Sequence, residues 1–219
     1  MCVETRALHA YDEEFGDEDP RWWRTTLKPT IDPATGAVVR IVGVAVEITK
    51  RKRMEEHLNN EANTDALTGT ANRRCLEIDV ENAMAEALDG GQPFGLVLMD
   101  LDGFKPINDT YGHRKGDDVL RHVASLLKLT ARRNETVARV GGDEFAMLIR
   151  ASTETELAGK VVALRRFLDR SMSISDIEVN VGASIGAAMW TVGQTFEDLL
   201  AVADLEMYRQ KSLRRERAA

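Results

Sequence analysis

The chain has only two cysteines in 219 residues, Cys2 and Cys75, which excludes a disulfide framework and leaves too few thiolates for a zinc site. A reducing compartment is the simplest reading. Long apolar runs are missing too: stretches such as Ile41–Val46 stop far short of the roughly 18–20 residues that span a membrane. Met1-Cys-Val-Glu-Thr-Arg6 has no apolar segment, so neither a signal peptide nor a lipoprotein signal fits. There is no excess of positive charge. The 36 acidic residues outnumber the 29 basic ones, and a net charge of -7 argues against nucleic-acid binding by the whole chain. No internal repeat or low-complexity tract is present. What remains, 43% hydrophobic and 30% charged, is the balance of an ordinary soluble protein, and cytoplasmic residence is expected.

The pattern along the chain divides it in three. Residues 1–20 are acidic, with Asp12-Glu-Glu14 and Asp17-Glu-Asp19, and read as a solvated lead-in. Two strands are predicted next, Trp22–Ile31 and Ala37–Val46, around the turn cluster Asp32-Pro-Ala-Thr-Gly36. Two strands alone bury too little surface to be stable, so partners are expected. Residues 49–63 turn helical and charged, and Met54, Leu58 and Ala62 make one thin apolar stripe. The basic run Lys50–Arg53 reads as a solvated helix face, and a short parallel coiled coil between subunits is expected.

Residues 64–219 alternate helix and strand signals in the order α-β-α-β-β-α-β-α, with strands at Phe94–Met99, Thr136–Val140, Glu144–Ile149 and about 178–190. Thr195 and Asp198 form a capping-box-like start to the last helix. The fold class expected is an α/β (α+β) sandwich, a mainly antiparallel sheet flanked by helices.

Two stretches carry chemistry. In Asp100-Leu-Asp-Gly-Phe-Lys-Pro-Ile-Asn-Asp109, acids crowd the end of an apolar strand, and Asp100 and Asp102 share one side of it. Carboxylates held together raise one another's pKa unless a cation neutralises them, which invites Mg²⁺; the plain alternative is a polar loop with an Asx turn. The second stretch, Gly141-Gly-Asp-Glu-Phe145, joins two strands. Its glycines allow the positive φ of a primed hairpin turn and a close approach to a ligand. If that hairpin lies beside the strand ending at Asp100, then Asp100 and Asp143 can share a metal next to glycine amides, the arrangement of a nucleotide-transfer site.

Gly141–Phe145 resembles the signature of the GGDEF family, the diguanylate cyclases. Asp65-Ala-Leu-Thr-Gly69 with Asn72-Arg-Arg74 is similar to that family's opening motif. Asp100–Lys105 with Asn108-Asp109 is similar to its metal and substrate strand. Tyr111-Gly-His113 and Gly116-Asp117 are similar to its guanine loop, and Ala203-Asp204, Met207-Tyr208 and Lys211 to its last helix. The resemblance spans about residues 60–216. Residues 21–58 resemble the last hairpin and exit helix of a PAS sensor, whose ligand-binding half is absent from the chain. The expected organisation is therefore a partial PAS-like segment at 1–48, a helical linker at 49–63 and the GGDEF domain at 64–219.

The resemblance implies one GTP per subunit and condensation of two GTP into cyclic di-GMP with loss of two pyrophosphates. The working unit would be a homodimer, with an upstream sensor module as regulator. Asp100, Asp143 and the Leu101 carbonyl would hold Mg²⁺, or Mn²⁺ in its place. Asp143 is the candidate proton acceptor and Glu144 the next, and sequence does not separate them. Lys105 would stabilise charge at the phosphoryl group, while Lys211 and Arg215 would hold the outer phosphates. Gly141 and Gly142 would give the backbone room beside the phosphates. Asn108 and Asp117 suit the donors and acceptors of guanine, and His113 lies in the same loop. Three departures stand out. Val140 replaces a usual Tyr, and Arg214 and Glu216 replace the glycine and asparagine that usually flank Arg215. Arg132-Arg-Asn-Glu135 occupies the slot of an inhibitory Arg-x-x-Asp, with Glu one methylene too long, so weak product inhibition is expected from this degenerate site. The rival reading is a catalytically silent module that binds GTP or cyclic di-GMP and signals through a partner.

Overall fold

A computed structural model describes residues 7–16, 19–169, 171–174 and 177–218. The chain forms two units, Met1–Asn60 and Glu61–Ala219. In the first, β1 (His9–Phe15), β2 (Arg21–Ile31) and β3 (Val38–Glu47) make an antiparallel sheet in that order. The predicted turn closes β2 to β3: the Gly36 amide donates to the Asp32 carbonyl at 2.8 Å, and Gly36 takes a φ of +68° that suits glycine. Strand β1 corrects the expectation of a solvated lead-in. Its acids are cross-strand partners: Asp12 faces Arg24 and accepts from its Nε at 2.7 Å, and Glu13 accepts from the Thr25 hydroxyl at 2.7 Å. Helix α1 (Thr49–Asn63) follows, and the Thr49 hydroxyl accepts the Trp22 amide at its start. Met54, on the expected stripe, is exposed; the side chain of Leu58 lies outside the described ones.

The second unit is built on a five-stranded sheet. Its strands are β4 (Ala71–Asn72), β5 (Phe94–Asp102), β6 (Thr136–Gly141), β7 (Glu144–Arg150) and β10 (Gly182–Met189), ordered β10-β5-β7-β6-β4. Every pair is antiparallel except β4 with β6. Alternation along β5 divides the core in two. Val97, Met99 and Leu101 pack with α4 (His113–Thr130) and α5 (Glu154–Leu168), through Val123, Leu127 and Leu164. Phe94, Leu96 and Leu98 pack with α2 (Arg73–Leu88) and α6 (Phe196–Ala218), through Val80, Leu199 and Ala203. The α/β sandwich is as expected.

Two local expectations change. The strand placed at about 178–190 is broken: β8 (Ser171–Ile174) and β9 (Ile177–Asn180) form a separate hairpin before β10. A short helix, α3 (Phe104–Tyr111), fills what read as the tail of the acidic motif. Gly103 before it has a φ of +79° and Gly112 after it +81°, so two glycine corners set this helix between β5 and α4. The last helix starts as predicted, with the Thr195 amide and hydroxyl donating to Asp198 and the Asp198 amide donating back to Thr195.

Candidate active site

The end of β5 and the β6–β7 turn form the centre. Asp100 lies opposite Glu144 on β7 and opposite Ser184 on β10, so three polar side chains end an otherwise apolar face of the sheet. Gly141 pairs with Glu144, which makes Gly142 and Asp143 the two turn residues. The Leu101 amide donates to the Asp143 carbonyl at 3.2 Å, and this joins the two chemistry-bearing segments directly. A cleft of about 560 Å³ opens there, lined among others by Asp100, Leu101, Lys105, Asp143, Lys211 and Arg214. Lys211 reaches across from α6 and donates to Asp100 Oδ1 at 2.8 Å.

Electrostatics at the turn follow from crowding. Burial first, then the charges of Asp100, Asp143 and Asp204, push the Glu144 carboxyl above the usual carboxylate range, against a smaller pull from Lys211. Of these acids, Asp100 and Asp143 line the cleft, and carboxylate oxygens are what a hard divalent cation takes as ligands. Among the described residues no three His, Cys, Asp or Glu side chains are gathered into a metal cage. The donor set fits Mg²⁺ all the same, because this ion is typically held by one or two carboxylates while water and substrate phosphates complete its shell.

The expected guanine residues lie apart from this cleft, at the α3–α4 corner. Asn108 packs against Gly116, where a Cβ would stand 1.9 Å from Asn108 Oδ1, so that glycine is required for the amide's position. Asp117 is next in the chain and half-buried; His113 begins α4 and is exposed. Gly141 and Gly142 differ from expectation in one respect: neither adopts a positive φ. They supply space instead, since a Cβ on Gly142 would meet nothing within 4 Å and one on Gly141 only Glu144 Oε2, at 3.3 Å. The Arg215 side chain lies outside the described ones.

Arg132 and Glu135 line one small cavity of about 250 Å³ together with Lys160, but their charged ends point apart. Glu135 points inward, with Oε2 accepting from the Arg132 amide at 2.8 Å and from Lys160 Nζ at 3.1 Å. The Arg132 guanidinium is out on the surface near Glu156. Sequence reasoning missed Arg139. Its Nη2 donates to the Gly142 carbonyl at 2.7 Å, and its Nη1 donates to both oxygens of Asp65 at 3.2 Å, so one side chain ties the turn to the opening motif. A lone arginine in a predicted strand gave no signal of this. Lys128 was missed as well; it donates to the Gly69 carbonyl at 2.6 Å.

Comparison with known proteins decides the family. The profile described as "Diguanylate cyclase, GGDEF domain" matches residues 62–217. This chain belongs to the GGDEF family. Among its relatives, the bifunctional diguanylate cyclase/cyclic di-GMP phosphodiesterase MucR of Pseudomonas aeruginosa is 36% identical over 199 residues, covering 86% of this chain and 29% of that protein. Diguanylate cyclase DgcM of Escherichia coli is 37% identical over 171 residues, covering 78% of this chain and 41% of its own length. The chain thus spans well under half of these curated relatives. In structure it resembles the coiled coil and GGDEF domain of DgcB from Caulobacter crescentus, solved in complex with c-di-GMP. That match has a TM-score of 0.67 and 32% identity, over 74% of this chain and 89% of the other. The GGDEF signature Gly141–Phe145 sits beside β5, with Glu144 opposite Asp100.

Proposed function

We propose that the protein is a diguanylate cyclase that condenses two GTP into cyclic di-GMP, releasing two pyrophosphates, with Mg²⁺ and at a homodimer interface. The observation that carries this reading is the register of Asp100 against Glu144 with Asp143 in the adjoining turn, facing Lys105 and Lys211 across one cleft. Asp100, Asp143 and the Leu101 carbonyl would hold the metal, which when bound neutralises phosphate charge and acidifies the attacking hydroxyl.

The protein's own groups do the rest. Lys105 offsets charge that develops at the phosphoryl group, and Lys211, already facing the cleft, holds the outer phosphates together with Arg215. Asp143 accepts the proton of the 3′-hydroxyl, and Glu144 beside it is the next candidate. Asn108 and Asp117 read guanine, His113 lies beside them, and Gly142 keeps the approach to the phosphates open. The N-terminal sheet and α1 are the tail of a PAS-like sensor that governs how two subunits meet. In support, β3 leaves Val39, Val44 and Val46 more than half exposed, a surface in keeping with further partners.

The test is chromatographic product analysis after incubation with GTP and Mg²⁺, with Asp143→Ala in parallel. Cyclic di-GMP from the wild type alone is expected. No product from a protein that still binds GTP would replace this reading with that of a silent GTP-binding module.

A further inference from the structure

Arg214 lines the cleft, yet neither the signature residues nor the reaction assigned above gives it a task. Its guanidinium is gripped from two sides. Nη1 donates to Asp102 Oδ2 at 2.5 Å, and Nη2 lies 3.3 Å from both carboxylate oxygens of Asp169. Asp102 is the last residue of β5, and Asp169 caps the end of α5. One side chain on α6 therefore binds the ends of two other elements. The space for it exists because Gly182 opens β10: a Cβ there would stand 2.9 Å from Arg214 Nη1 and 3.3 Å from Asp169 Oδ1. The other oxygen of Asp102 accepts the Ser184 hydroxyl at 2.8 Å, so that carboxylate is oriented by two donors.

Three residues earlier on the helix, hence on the same face, Lys211 reaches Asp100. The lining holds three carboxylates (Asp100, Asp102, Asp143) and three cations (Lys105, Lys211, Arg214). Without Arg214 the balance is net negative, in a site that must accept a polyphosphate.

Building on the cyclase reading, we propose that Arg214 is a positioning residue for triphosphate binding. It clamps the end of α6 so that Lys211 faces the cleft, and it neutralises Asp102, whose bare charge would repel the phosphates. The guanidinium acts through these neighbours and does not touch substrate, because its fork is already shared between two carboxylates.

The experiment compares wild type, Arg214→Met, Arg214→Lys, Asp169→Asn and the Arg214→Met/Asp169→Asn double variant. It reads kcat and KM for GTP, and the Kd of a fluorescent GTP analogue by titration. Arg214→Met should raise KM and the analogue Kd about tenfold and change kcat by less than about twofold. Arg214→Lys should recover part of the loss. Asp169→Asn should weaken binding about threefold in the wild-type background and have no effect in the Arg214→Met background, since it acts only through the guanidinium. Unchanged affinity in Arg214→Met, or additive effects in the double variant, would overturn the clamp. So would tighter binding in Asp169→Asn, which would mean that a freed Arg214 grips phosphate directly. If wild type binds the analogue but makes no cyclic product, the cyclase reading fails while the binding series still judges the clamp. If wild type binds no analogue, both fall.

Discussion

Glu135 spends its carboxylate inside the fold. Its side chain is fully buried, Oε2 takes the Arg132 amide and Lys160 Nζ, and Oε1 has no partner among the described residues. Turning it outward to meet a nucleotide would leave the largely buried Lys160 ammonium with the Thr130 carbonyl but without its counter-charge, and breaking such a pair is strongly unfavourable. An aspartate in the same place would be one methylene shorter and would not reach the lysine as easily. We therefore expect little product feedback from Arg132 and Glu135: cyclic di-GMP at about ten micromolar should leave the initial rate within about twofold. A submicromolar inhibition constant that Arg132→Ala abolished would show that the carboxylate does turn outward.

Between elements, α6 meets β10 backbone to backbone at Gly186. A Cβ on Gly186 would fall 2.1 Å from the Ala203 carbonyl oxygen and 2.3 Å from the Met207 amide nitrogen, so helix backbone lies directly on strand backbone. Gly186→Ala should cost about 2–3 kcal/mol in urea denaturation, the range of core overpacking, because no flexible side chain there can give way. Gly142→Ala should leave the same denaturation curve unchanged, since open space surrounds it, yet reduce cyclic di-GMP synthesis by at least about tenfold if that space belongs to the phosphates. A stable Gly186→Ala protein, or an unimpaired Gly142→Ala enzyme, would count against these packing assignments. Such contrasts explain what the sequence made legible. Apolar periodicity located β5, β6, β7 and the long helices, because each buries a regular face, and paired motifs located Asp100, Asp143 and Lys211. Periodicity could not show that acids of β1 bond to Arg24 and Thr25, since a cross-strand partner lies far along the chain. Nor could it show that the strand breaks at Val181, between β9 and β10, or that Arg139 and Arg214 fold back onto carboxylates 74 and 112 residues away.

At the scale of the whole molecule, ionisation and assembly are the two levers. Burial raises the Asp65 carboxyl, but hydrogen bonds from the Thr68 hydroxyl and amide and from Arg139 outweigh it, and the net position is below the usual carboxylate range. A depressed folded-state pKa contributes stability that is present above the unfolded value near 3.8 and is lost as pH falls through the folded one. Asp65→Asn should thus lower stability by about 1–2 kcal/mol at neutral pH, and the gap should narrow as the pH of the denaturation curves falls below 3.8. A gap independent of pH would mean that the charge is not what holds the loop. Assembly is tested by chemistry. Cyclic di-GMP contains two phosphodiester bonds, and if each subunit supplies one competent half-site, a dimer with one dead half makes at most one bond. Mixing wild type with Asp143→Ala should then lower cyclic product per wild-type subunit in proportion to the wild-type fraction, because random exchange pairs each active subunit with a second active one that often. At equal amounts the yield per wild-type subunit should halve, and a linear dinucleotide should accumulate. A yield per wild-type subunit that stays constant across the mixing series, at concentrations where the subunits exchange, would show that one chain completes the cycle alone.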